Sequence, residues 1–338
     1  MGNRSTDYMK FAGSSSGASS DVEPRIAGGI PDVPRWVSEI MGAQSVRMLD
    51  GRFGTLRGLI EHVSDASRSL GLTTVRVIDI VSGTPAEFES AVEAAYLQAQ
   101  AVSADTHAPF PIRIWNFVPG IHDDMGSGLD RYRVFNRGRY RGLSGWFSGP
   151  DRFSTQLPTA TAVGHNGHDL VLHVLSAQNA GRAVENPRQC PAFRYSTKFG
   201  PLPPCFSRAT VARVDGRESI LIGGTASIRG EETMFEGSLH RQLDELFTNL
   251  TSLLNAANEA ATEIKNPLAE IHGARIYYRN ESDRALIEAE VARKLPLIDS
   301  AEWIRADICR RELLVEIEGI AHRPAAVAKS HTQTKGAR

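Results

Sequence analysis

Three cysteines in 338 residues are too few and too scattered to staple a fold. Cys190, Cys205 and Cys309 are an odd number and form no Cys-x-x-Cys pair. That argues against a disulfide framework and a structural zinc site and fits a reducing, cytoplasmic setting. No apolar run approaches the roughly 18 residues a spanning helix needs, and the N-terminus lacks a hydrophobic signal core, so no membrane partner is expected. The opening "MGNRST" does match the myristoylation pattern, but that pattern is loose enough to arise by chance. The formal net charge is only −1, which gives no support to a nucleic-acid partner. "HNGH" (His165, His168) has no acidic third ligand nearby and is a weak metal motif; neither a metal nor a cofactor is expected.

What the chain does have is ordinary globular composition, 41% hydrophobic and 23% charged, and length for about two domain-sized cores. "GSSSGASSD" reads as part of a flexible leader, residues 1–30, and "KSHTQTKGAR" as a polar tail, residues 326–338. Between them, "TTVRVIDIV" (Thr73–Val81) is a β-branched strand. The next segment has Thr84 as N-cap, Pro85 at the first helical position and acids in the first turn, and "PIRIWNFVPGI" returns as strand. A second tract repeats the alternation. "DLVLHVLSA" (Asp169–Ala177) is a strand, and "SILIGGTASI" is a strand ending at a Gly-Gly break. A long helix from roughly Ser238 to Ile264 follows, then strand "ARIYYR", helix "SDRALIEAEVARK", and strand signal again from "WIRADIC" to "LLVEIEGIA". Such alternation predicts α/β layers with helices packed on sheets.

Two long stretches carry little regular signal, "GIHDDMGSGLDRYRVFNRGRYRGLSGWFSGP" and "VENPRQCPAFRYSTKFGPLPPCFSRA". Irregular segments of this length are uncommon inside compact domains unless they serve a site. Both are dense in arginine, whose planar fork binds carboxylates and phosphates bidentately; solvated loop charges are the plainer alternative. Near the end, "ICRRELLVEIEG" (Ile308–Gly319) sets Glu316 and Glu318 into an aliphatic strand. Carboxylates there must meet water, a cation or a substrate, because burying one unpaired is very costly. Pairing with Arg310 or Arg311 on a surface strand is one resolution for Glu316; Glu318, on the same face by alternation, reads as structural or solvent-facing. Cys309 lies an odd seven positions before Glu316, so a turn or bulge at "RRE" is needed to bring the two together.

The motifs "IWNFVPGI", "GLDRYRVFNRGR", "LPTATAVG", "VENPRQCPAFRYSTKFGPLPPCFSRA", "GGTASIRGEET" and "RADICRRELLVEIEGIA", in this order from about Ile112 to Ala321, together resemble the chorismatases, enzymes that cleave chorismate and release pyruvate in secondary metabolism. The closing "LVEIEGIA" also resembles the wider YjgF-like group. The resemblance implies a YjgF-like, chorismate-mutase-like α/β (α+β) fold, with mixed sheets and helices packed on one face. It implies two related halves, expected at residues 31–155 and 156–325, with the site in the cleft between them.

The same resemblance implies roles for particular residues. Glu316 matches the catalytic acid that protonates the enolpyruvyl methylene, and its aliphatic neighbours would desolvate it and keep it protonated. Cys309 matches a product-determining position that is cysteine in the 3-hydroxybenzoate-forming branch. Gly224, or Gly223 beside it, would lie against the substrate ring. For the two carboxylates of chorismate the chain offers Arg139 and Arg208 first, then Arg133 and Arg194; Tyr195 is a hydrogen-bonding or structural tyrosine. The implied products are 3-hydroxybenzoate and pyruvate. The alternatives are a dihydroxycyclohexadiene carboxylate or 4-hydroxybenzoate, or a YjgF-like binding or deaminating protein outside chorismate chemistry. Monomer and homo-oligomer remain equally open.

Overall fold

The computed structural model describes residues 31–42, 44–258 and 266–322. The predicted leader, the polar tail, the myristoylation pattern and the last turns of the predicted long helix lie outside the described residues. A short helix α1 (Arg35–Ile40) leads into β1 (Ser45–Phe53), β2 (Leu56–Asp65), β3 (Leu70–Val77), α2 (Pro85–Ala104), β4 (Phe110–Pro119), α3 (Arg131–Trp146), a one-turn helix α4 (Phe153–Gln156), β5 (Thr159–His165) and β6 (Leu170–Ala177). Then come β7 (Arg182–Val184), β8 (Ala209–Val214), β9 (Arg217–Thr225), the small hairpin β10 (Ile228–Arg229) and β11 (Glu232–Thr233), α5 (Leu239–Ala257), β12 (Ile271–Tyr278), α6 (Arg284–Lys294), β13 (Ser300–Arg305) and β14 (Val315–His322).

The first sheet has the order β1-β2-β3-β6-β4-β5, and the second, read from its other edge, β7-β8-β9-β14-β12-β13. The two are the same topology: a meander, then the last strand, then a pair of parallel strands at the edge. α2 and α5 follow the meanders, and α3 and α6 follow the first strand of each parallel pair. The expected boundary at 155/156 is therefore displaced. β5 and β6 complete the first sheet, and the halves meet between Ala177 and Arg182.

One apolar core lies under α2 and α3 and another under α5 and α6. A third lies between the sheets, where Trp115, Phe117 and Leu175 of the first meet Leu221, Tyr277 and Ile320 of the second. The central strands are thus buried on both faces, which is why they read as unbroken aliphatic runs. No helix among the described residues is long and apolar enough to cross a membrane.

The helix α3 corrects the sequence reading, which took that stretch as irregular. Asp130 caps it through a 2.9 Å bond from the Arg133 amide. Its glycines look like breakers but form the face packed on α2. A Cβ at Gly138 would lie 2.5 Å from the Glu89 carbonyl oxygen, one at Gly142 2.6 Å from the Tyr96 Cβ, and one at Gly145 2.8 Å from Leu97. Close helix packing offsets the propensity cost of about 1 kcal/mol per glycine. Thr84 caps α2 as expected, accepting from the Glu87 amide, and Glu87 accepts in turn from the Thr84 amide to complete a capping box.

Candidate active site

β9 and β14 do not pair in even register. Ile317 faces Thr225 while Gly319 faces Ile222, so β9 carries one extra residue, a bulge at Gly223–Gly224. The Gly-Gly break of the sequence is this bulge. A Cβ at Gly224 would collide with the Glu316 carboxyl, and one at Gly223 with the Thr159 hydroxyl, so only glycine lets the backbone come this close.

Above the bulge lies a cavity of about 340 Å³, within the roughly 300–1,000 Å³ usual for small-ligand sites. Glu316 stands at its floor, 4% exposed, and makes no hydrogen bond or ion pair among the described residues. Burial, reinforced by Glu318 and opposed by Arg113 and Arg208, pushes its carboxyl up to about 8. Cys309 reaches the same cavity because Ile308–Leu314 is not strand: the Leu313 amide closes a turn on the Arg310 carbonyl. Burial, with Glu316 adding to it, pushes the Cys309 thiol up to about 12, which makes it a neutral wall group and not a nucleophile.

Two buried guanidinium groups face this cavity. Arg139, on α3, donates to Asn136 Oδ1 at 2.7 Å, and the hydroxyls of Tyr132 and Tyr96 lie against it. Arg208 donates to the Cys190 carbonyl at 2.9 Å and the Tyr195 hydroxyl at 2.7 Å. Phe206 lies between them, 5.6 Å from the Arg139 guanidinium and 5.0 Å from that of Arg208. Neither forms a salt bridge among the described residues, and the Nε of each is buried without a partner. Glu185, near Arg208, is itself pushed up to about 7 by burial, with Arg208 and Arg194 opposing. Buried cations are normally paired, so this arrangement is suited to holding an anion.

Of the predicted residues, Glu316, Cys309, Arg139, Arg208, Tyr195, Gly224 and Arg133 all line the one cavity. Arg133 sits at its rim, partly exposed and 3.8 Å from Asp130. Arg194 does not line it: the side chain is exposed and stacks on Phe193 at 5.6 Å. Glu316 is not a surface carboxylate paired with Arg310 or Arg311; those arginines bond to carbonyls of Glu231 and His122. Glu318 is not solvent-facing either but fully buried, in an ion pair with Arg113. His165 spends both ring nitrogens on its own turn, toward the Gly167 amide and the Asp169 carbonyl. Sequence reasoning missed Tyr132, Thr161, Phe199, Phe206 and Arg310, which also line the cavity. For Tyr132 a signal existed: seven residues before Arg139, it shares that residue's face once the stretch is read as helix.

Among known proteins, chains similar to this one include chorismatases. The family model described as Chorismatase FkbO/Hyg5-like, N-terminal, matches residues 63–176. A 3-hydroxybenzoate synthase from Streptomyces hygroscopicus is 32% identical over 241 residues, 69% of this chain and 69% of that protein. A chorismatase from Streptomyces rapamycinicus is 31% identical over 217 residues, 63% of this chain and 64% of that one. A crystal structure of a chorismatase superposes with a TM-score of 0.68 at 25% identity, covering 80% of this chain and 78% of that one.

Proposed function

The chain belongs to the chorismatase family, and on that premise we propose that it converts chorismate to 3-hydroxybenzoate and pyruvate. One observation carries the reading: a buried carboxyl without hydrogen-bond partners among the described residues, Glu316, shares a pocket with two buried guanidinium groups that form no salt bridge there. The substrate is a dianion with one electron-rich vinyl group, and its chemistry calls for those features. Arg139 and Arg208 hold the carboxylates, with Tyr195 fixing the Arg208 fork and Tyr132 that of Arg139. Glu316 gives its proton to the terminal methylene, forming the methyl group of the future pyruvate and an oxocarbenium ion at the ether carbon.

Breaking the ring C3–oxygen bond then releases pyruvate. The neighbouring C4 hydroxyl oxygen bonds to the vacated carbon as its own proton passes to the Glu316 carboxylate, which restores the acid. Opening of that three-membered ring at C4, with a shift of the C3 hydrogen to C4, loss of one C4 hydrogen as a proton and protonation of the oxygen, gives the aromatic product with its oxygen on C3. No water is consumed, so a pocket for this outcome must keep water from the cation. The neutral Cys309 thiol and the close Gly224 backbone form the wall that does so.

The test is incubation of the purified chain with chorismate, product chromatography and a parallel pyruvate assay. Equal amounts of 3-hydroxybenzoate and pyruvate are expected. A dihydroxycyclohexadiene carboxylate or 4-hydroxybenzoate as main product would overturn the product assignment, and absence of turnover would overturn the activity. C309A, which opens the wall to water, is expected to divert product toward the dihydroxy acid.

A further inference from the structure

Glu318 lies two residues beyond Glu316 on the same face of β14 and is fully buried. Four donors meet it. Arg113 Nη2 donates to Oε2 at 2.5 Å, and the Thr161 hydroxyl donates to the same oxygen. Trp115 Nε1 at 2.9 Å and the Tyr277 hydroxyl at 3.1 Å donate to Oε1. Arg113 also donates to Thr161 Oγ1 at 2.5 Å, and the Gly224 amide donates to that oxygen at 3.0 Å. The assembly ties β4 and β5 of the first sheet to β9, β12 and β14 of the second. It ends on the glycine whose backbone lies against the Glu316 carboxyl. Packing alone does not call for such a pair, because apolar residues of similar volume often serve a buried position equally well.

We propose that the Arg113–Glu318 pair is a positioning device for Glu316, its opposed charges balancing the field at the acid while Thr161 fixes the Gly224 backbone against it. The proposal rests on Glu316 being the proton donor. The charged and titratable groups that face Glu316 are Glu318 on β14, Arg113 on β4, Arg208 before β8, Tyr132 on α3 and Cys309 in the turn before β14. Arg113 and Arg208 favour the ionised acid and Glu318 opposes them. Removing the Glu318 charge leaves two cations unopposed, and Glu316 then loses its proton at lower pH.

The experiment measures two things on the full chain: the pH dependence of kcat/KM for pyruvate release from chorismate, and an infrared titration of the Glu316 carboxyl, taken as wild type minus E316Q. The infrared readout does not need turnover, so it tests the pairing even if chorismate is not the substrate. In E318Q both the alkaline limb and the carboxyl band are expected to move down by about one pH unit, while E318D keeps them where the wild type has them. A limb and band at the wild-type pH, with only a lower kcat or lower thermal stability, would overturn the proposal. Should E318Q not fold, T161V decides: kcat is expected to drop about tenfold with KM little changed and T161S to restore it. A T161V chain with wild-type kcat would equally overturn the proposal.

Discussion

The two sheets share one topology, yet only one of them holds the acid. β3 pairs with β6 in unbroken register from Leu70↔Ala177 to Val77↔Leu170. Their counterparts β9 and β14 slip by one residue at Gly223–Gly224. The helices diverge in the opposite sense. α3 carries Tyr132 and Arg139 into the cavity, whereas its counterpart α6 buries Ile287 and Val291 and lends the cavity nothing. The site thus arises where the copies depart from each other: one sheet carries the buried carboxyl, the helix of the other carries a buried guanidinium group, and the regular parts hold them in place.

That contrast can be broken most severely at the acid. E316Q is expected to lower pyruvate release roughly 10²–10⁴-fold, measured as kcat with the chain still folded by circular dichroism. Removing a cation should follow. R208M is expected to lower kcat/KM by an amount equivalent to roughly 2–4 kcal/mol, mostly through KM, and steady-state kinetics separates the two. G224A, which forces a methyl group into the Glu316 carboxyl, should reduce kcat about 10²-fold, since small misplacements at a reacting group have effects of that size.

The acid also leaves a signature in stability. Its folded value, about 8, is above that of the unfolded chain, so the folded state binds the extra proton and stability falls as pH rises from about 4.5 to about 8. E316Q lacks that dependence. It should gain on wild type across this window, by up to roughly 4 kcal/mol at the alkaline end, in urea titrations at several pH values. The smallest catalytic effect belongs to the regular sheet: V75A in β3 should destabilise by roughly 1–3 kcal/mol and leave kcat unchanged.

The central strands β3, β4, β6, β9, β12 and β14 were legible because burial leaves continuous aliphatic runs, and Glu316 stood out because it interrupts one, whereas β1, β2, β5, β7 and β8 were not read as strands. α3 was not, since glycines that serve helix contact look locally like glycines that end a helix. The division between halves was misplaced because the last two strands of the first sheet follow an irregular stretch that resembles a linker. The burial of Glu318 was hidden for another reason. Its partners Arg113 and Trp115 are more than two hundred residues away in the chain, and no local pattern announces a contact across that distance. Arg194 was drawn in by the company it keeps in sequence, although its side chain turns outward.

The glycine seam of α3 has a reach beyond the packing it permits. Arg139 is anchored to a rod whose distance from its neighbour is set on the adjoining face, by hydrogen atoms at positions 138, 142 and 145 where other residues would carry carbon. Thickening that face by a single methyl would push the rod away from α2 and shift the guanidinium within the pocket. Where the Arg139 guanidinium stands in the cavity is thus gauged by residues that do not line it.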